Sequence, residues 1–300
     1  MSTVAGENVM VHLPSASDVV TVGEGLRPPV DVTISTTNSW GDVVGKTVTG
    51  EYFVEIERLA LTAELSYSAG KLQAVVERIV AAMDSWWSSA EAWLEIVTGQ
   101  RLTLEGQRPV VKVGNKTPVW QVMPDGSLSK PFPIVSRVVL PIGADMPLVT
   151  EEVLQRCFTL AAASAMPAFP WPLVREARSL HAAGQYRRAV IDASGAAEVA
   201  VKNILNAQLS VTVPQGIADR LTRRELTLGA SVEILRATGY SGLPANFTRD
   251  LVAVRNRAVH LDNGTGQRET TRTESATTIA LAGDVVEAAF PLPSGLTRLW

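Results

Sequence analysis

The run Tyr186–Gln208 constrains the fold of this chain more than any other stretch. Its apolar positions are Tyr186, Ala189, Val190, Ala193, Ala197, Ala200, Val201, Ile204 and Leu205, spaced three or four apart, so they form one stripe along a helix. Many of these positions are alanine, which lets neighbouring helices approach closely. A helix over about Leu173–Ala183, stopped at Gly184, precedes it, and Val213-Pro214 and Gly216 end it. One or two less regular helices occupy Ile217–Ala237, followed by a loop from Gly239 to Pro244. The spacing then predicts a helix over Asn246–Val259, with Asn246 as its cap and Phe247, Leu251, Val254 and Ala258 as its core face. A last helix over Thr271–Phe290 is closed by Pro291 and Pro293. Four principal helices with short connections imply an antiparallel bundle over residues 172–300.

The N-terminal half has a different texture, and the chain as a whole reads as α+β: a mixed strand and helix domain, then the all-α bundle. Val30–Ile34 alternates as a half-buried strand does, and Leu59, Leu61, Ala63, Leu65 and Tyr67 keep a strict period of two. Residues 71–98 switch to helical spacing, with Gly99 placed to stop the helix. Trp86 and Trp87 lie on its apolar stripe and are read as core; Trp93 falls off the stripe and is read as an exposed contact. Strand signals return at Arg101–Leu104, Pro109–Val113, Pro118–Met123 and Ile134–Leu140. Residues 1–149 thus form one domain without a phosphate loop, a metal-ligand cluster or a nucleophile–base pair, read as a sensing, targeting or packing module. Residues 150–171 are a helix starting at Thr150 and a proline-rich linker.

Composition narrows the function classes. Cys157 is the only cysteine, which excludes an intrachain disulfide and a zinc site built on several thiolates, and points to a reducing, cytoplasmic compartment. No apolar run approaches the length that spans a bilayer, and Met1–Ser15 lacks the pattern of a secretory signal. Charge is uneven. Residues 1–149 carry 11 Lys and Arg against 16 Asp and Glu, whereas residues 172–260 carry 12 against 7, and 11 of those 12 are arginine. Guanidinium offers paired donors to phosphate oxygens, so an arginine-weighted segment suits phosphate contacts.

Within that segment stands Arg255-Asn256-Arg257-Ala258-Val259-His260, followed by the polar loop Leu261-Asp262-Asn263-Gly264. Asn256 and His260 are four apart and share one helix face. Arg255 lies about 140° round from His260 on an ideal helix, so the two converge only where the helix ends or a second surface joins them.

This passage resembles the HEPN domain family, the helical bundle domains of many prokaryotic toxins and defence proteins, whose usual signature is RNxxxH. The run Ala183-Gly184-Gln185-Tyr186-Arg187-Arg188-Ala189-Val190, then Ala196-Ala197-Glu198, is similar to the family's glycine turn, aromatic, alanines and glutamate. The resemblance covers about residues 172–290. It implies a metal-independent endoribonuclease with no cofactor, a toxin or anti-phage effector that cuts RNA by attack of the 2′-hydroxyl and leaves a 2′,3′-cyclic phosphate. His260 suits the base or acid role because imidazole titrates near neutrality. Arg255 suits the non-bridging phosphate oxygens, and Asn256 suits the orientation of the ring or the phosphate. Glu198, beside the alanine stripe, is expected either to pair with Arg255 as a positioning contact or to face solvent, and Arg257 and Arg249 either to meet substrate phosphates or to be simply exposed. His181 is read as a surface residue and His12 as incidental. One motif supplies one histidine, so the resemblance implies a homodimer through the C-terminal bundle that brings two motifs together. The expected partners are RNA and a second copy of the chain, with room for an inhibitory or regulatory protein, and no membrane. The alternative is a non-catalytic module of the same fold that binds a nucleotide or RNA and dimerises.

Overall fold

The computed structural model describes residues 2–15, 21–29, 40–46, 52–56, 59–99, 116–119, 132–135, 149–214, 216–217, 226–259 and 269–300. Among these the chain is mostly helical, with seven α-helices and, near the N-terminus, a three-stranded antiparallel sheet. It divides into two compact units: Met1–Leu94 with Gly106–Met166, and Glu95–Glu105 with Pro167–Trp300. The division differs from the sequence reading in two places. The helix that begins after Thr150 belongs to the first unit, and the last turn of the long tryptophan-bearing helix belongs to the second.

In the first unit, β1 (Ser2–Val4) and β2 (Glu7–His12) join through Ala5-Gly6. The positive φ values of Ala5 and Gly6, 52° and 82°, are those of a two-residue hairpin turn whose twist matches its strands. A second hairpin pairs β3 (Gly41–Lys46) with β4 (Tyr52–Ile56) and shifts register between Val43 and Gly45. β5 (Ala60–Thr62) pairs with β2, giving the order β1-β2-β5, and β6 (Lys116–Val119) pairs with β7 (Phe132–Val135). The alternating run Leu59–Tyr67 is therefore a strand only over Ala60–Thr62. Alternation reports which face is apolar, and a strand also needs an edge to pair with. The readings over Val30–Ile34, Arg101–Leu104 and Pro109–Val113 lie outside the described residues.

Helix α1 (Ala69–Thr98) and helix α2 (Glu151–Ala162) supply the rest of this unit's core. Thr150 caps α2 by accepting from the Val153 N–H, with Glu151 and Glu152 in the favourable first turn. Trp86 stacks on Phe158 with ring centroids 5.2 Å apart. Its Nε1 donates to Ser2 Oγ at 3.0 Å, and Ser2 Oγ donates on to the Phe158 carbonyl at 3.1 Å. Trp93 corrects the sequence reading: it is 4% exposed. Its Nε1 and the Ser89 hydroxyl both donate to the Ala165 carbonyl, at 2.8 and 2.9 Å. The buried face of α1 widens from Ser89 onward until it takes in the whole circumference, so position relative to the apolar stripe no longer decides exposure there.

In the second unit, α3 (Pro170–Ala182), α4 (Tyr186–Thr212) and α7 (Arg272–Ala289) pack on one another, with α5 (Leu228–Ala237) and α6 (Ala253–Val259) also against α4. Ala189, Ala193, Ala197 and Ala200 are fully buried on α4, as the stripe foretells, and so is Ala196. Trp171, Leu180, Leu205, Leu235 and Phe247 fill the core around them. Thr271 and Glu274 form a capping box at the start of α7, satisfying donors that a helix N-terminus leaves open.

The segment Leu296–Trp300 straps the last turn of α1 into this unit. The Leu299 N–H donates to the Val97 carbonyl and Trp300 Nε1 to the Ile96 carbonyl, both at 2.8 Å, two of the acceptors that a helix C-terminus leaves unsatisfied. The guanidinium carbons of Arg178 and Arg298 lie 4.1 and 4.7 Å from the Trp300 ring centroid. Arg298 is fixed by Glu287 and Asp284, each at 2.6 Å. Burial, with Arg298 nearby, lowers the Arg178 guanidinium to about 10. Gly99 (φ +63°) and Gly283 leave room for this strap: a Cβ on Gly99 would meet Arg178 Nη2 and Trp300, and one on Gly283 would meet Arg298 and Trp300. Trp300→Ala should cost about 2 kcal/mol, from one hydrogen bond, the cation–π contacts and part of a ring's burial. Urea unfolding measures it; a loss below about 0.5 kcal/mol would make the strap incidental.

Candidate functional site

The helix that carries the arginine motif is not continuous. Thr248–Val252 is a π turn, in which the Ala253 N–H reaches back five residues to the Thr248 carbonyl, and α6 follows it. A widened turn leaves a carbonyl without its usual partner. Here Thr278 on α7, fully buried, donates its hydroxyl to the Asp250 carbonyl at 3.0 Å. Asn246 does not cap the helix as expected; its side chain donates to Asp250 Oδ2 at 2.8 Å. Sequence spacing misses the π turn because Phe247, Leu251, Val254 and Ala258 keep steps that suit an α-helix. Thr278 could have been noticed as a buried hydroxyl on an apolar face.

Val254 and Ala258 of α6 pack on Val190 of α4. This seats the end of α6 against the start of α4, where Arg187 Nε donates to the Ala258 carbonyl at 2.8 Å. An arginine in the first turn of a helix opposes the helix dipole, a signal that Arg187 has another task. Arg257 reaches the start of α7, with Nη2 2.7 Å from Glu274 Oε1. The other Glu274 oxygen completes the capping box with Thr271. Three helix ends therefore meet at the motif: the start of α4, the end of α6 and the start of α7.

The individual residues fall as follows. Arg255 is half-buried and donates from Nη1 to Asn256 Oδ1 at 3.2 Å; among the described residues no carboxylate pairs with it. Asn256 is exposed. His260 lies outside the described residues. Arg257 is exposed and ion-paired to Glu274, and Arg249 lies on the π turn with both donors on neighbouring Asp250, at 2.6 and 2.7 Å. The hydrogen bonds from Arg249 and then Asn246 pull the Asp250 carboxyl down to about 2, and Asp250 in turn raises Arg249. Glu198 does not pair with Arg255. It lies 2.7 Å from Lys202, one turn along α4, and is 27% exposed. The physical reason is distance: Glu198 is eleven residues beyond Arg187, about 16 Å along the helix, whereas α6 ends at Arg187 and Val190.

His181 also departs from the surface reading. It is half-buried near the end of α3, its Nδ1 3.0 Å from Ser275 Oγ and its ring tilted against Tyr186. Burial, then the charges of Arg272 and Arg178, hold its pKa below the ordinary imidazole value.

In the first unit, an open depression of about 450 Å³ is lined by Tyr67, Lys71, Ala74, Val75 and Arg78. Glu7 occupies its polar groups, accepting from Tyr67 at 2.9 Å and pairing with Arg78 at 2.6 Å. Among the described residues no cluster of His, Cys, Asp and Glu could hold a metal ion, and no helix is long and apolar enough to cross a membrane.

No family model, curated protein or solved structure matches the chain.

Thr278→Val should destabilise the second unit by about 1–3 kcal/mol, because the part-buried hydrogen bond from the Thr278 hydroxyl to the Asp250 carbonyl is lost. Thr278→Ser should recover most of the loss. Chemical denaturation of both variants checks this; equal stability of Val and Thr would show that the hydroxyl is not needed.

Proposed function

We propose that the second unit is a HEPN-type antiparallel bundle and that the chain is a metal-independent endoribonuclease acting as a homodimer, of the toxin or anti-phage class. The observation that carries this reading is the setting of Arg255. Arg255 is half-buried, unmatched by a described carboxylate, and stands one turn before Ala258, whose carbonyl meets the start of α4.

In this reading Arg255 holds the non-bridging oxygens and stabilises the charge that builds on phosphorus. Asn256, beside it, keeps the guanidinium oriented or contacts the phosphate. His260 exchanges a proton with the reacting oxygens. The 2′-hydroxyl attacks, the bond to the 5′-oxygen breaks, and a 2′,3′-cyclic phosphate remains. Arg257 and Arg249 contribute less than a phosphate-contact role requires, because Glu274 and Asp250 already neutralise them.

The second reading is a module of the same fold in which Arg255, unmatched by a described carboxylate, holds RNA or a nucleotide and the chain dimerises without cutting. The two differ in one experiment. In EDTA, wild type should cut RNA, and Arg255→Ala and His260→Ala should each lose about 100-fold or more while remaining folded. Retention of RNA by a folded wild type that leaves it intact would select the binding module.

A further inference from the structure

Arg249 and Arg257, before and after Arg255 in the chain, each rest on a carboxylate. Arg255 and Arg187 have none among the described residues. Arg187 stands exposed in the first turn of α4. Its Nε donates to the Ala258 carbonyl at 2.8 Å, so the guanidinium is held at the last turn of α6. Ala258 is three residues beyond Arg255, and helical residues so spaced have Cβ atoms about 5–6 Å apart. The Ala258 carbonyl takes only Nε, and a neutral donor would satisfy it equally. The positive end of α4 opposes the charge and the negative end of α6 offsets that opposition, so neither dipole explains why the donor is a cation. With Nε engaged, Nη1 and Nη2 form the free edge of a planar fork. Two parallel donors on that edge match two oxygens of one phosphate.

We infer that Arg187 is a phosphate-binding residue of the motif, holding the phosphate next to the one that Arg255 holds on the same RNA strand; the inference rests on RNA as the ligand, as proposed above. The Nη edge takes two non-bridging oxygens of that phosphate, while Nε keeps its hold on Ala258. The bond to the backbone of α6 already fixes the guanidinium, so less side-chain freedom is lost when RNA binds. One phosphate on each arginine sets the register of the strand across the last turn of α6. Neither contact reads a base. The ligand is therefore an RNA strand with at least two successive phosphates, held through these two residues without base preference.

The test is binding of a fluorescent, fully 2′-O-methylated RNA, which cannot be cut by its own 2′-hydroxyl, followed by anisotropy from about 50 to about 200 mM salt. Arg187→Gln keeps a donor for the Ala258 carbonyl and removes the charge. It should bind about tenfold more weakly at the lower salt, and its slope of log affinity against log salt should be shallower by about 0.7–1. Arg187→Lys keeps the charge and loses the fork, so it should bind more weakly with the wild-type slope. An arginine that only tied α6 to α4 would leave the slope unchanged. Should Arg187→Gln not fold, phenylglyoxal modification of the wild type, read by mass, replaces it: bound RNA should shield Arg187. A folded Arg187→Gln with wild-type affinity and slope, or an Arg187 modified equally with and without RNA, overturns the assignment. A wild type that binds no RNA overturns the RNA reading itself, and the wild-type titration alone tells the two failures apart.

Discussion

The close contact along the alanine face of α4 is what the second unit depends on. Because Ala189, Ala193, Ala196, Ala197 and Ala200 present nothing beyond a methyl group, α3 and α7 can both lie against α4. Larger side chains there would push the helices apart, at a typical cost of about 1–3 kcal/mol for each misfit. The consequence reaches the motif. Arg187 meets the Ala258 carbonyl, and His181 meets Ser275, only because the ends of α3, α4, α6 and α7 are held at one place.

The same packing explains the π turn. With Val254 and Ala258 seated on Val190, and Leu251 and Phe247 in the main core, the π turn and α6 together satisfy two apolar clusters. An extra residue in the turn allows both, and the Thr278 hydroxyl ties the Asp250 carbonyl of that turn to α7. The exposed face of α6 is thereby left to Arg255, Asn256 and Arg257.

Periodic features were legible in the amino-acid sequence. α1, α4 and α7 stand where their apolar spacing, Gly99, Thr271 and the closing prolines put them. Pairwise features were not. Glu198 turned to Lys202, a neighbour one turn away on the same helix. Trp93 is buried because α1 is enclosed on all sides near its end, which a single-face pattern does not report. Leu59–Tyr67 alternates beyond its pairing edge. Of the motif, the sequence showed the residue types and their shared helix end; it did not show that Arg249 and Arg257 are matched by Asp250 and Glu274, or that His181 turns inward to Ser275.

The central proposal is that the arginine motif at the end of α6 serves RNA through its own 2′-hydroxyl. The most direct measurement is to give the protein, in EDTA, paired oligonucleotides of one sequence, one all-ribose and one 2′-O-methylated, and to identify the new ends by mass. The account predicts that only the ribose strand is cut, with a 2′,3′-cyclic phosphate at the break. Cutting of the methylated strand, or ends without a cyclic phosphate, would contradict it.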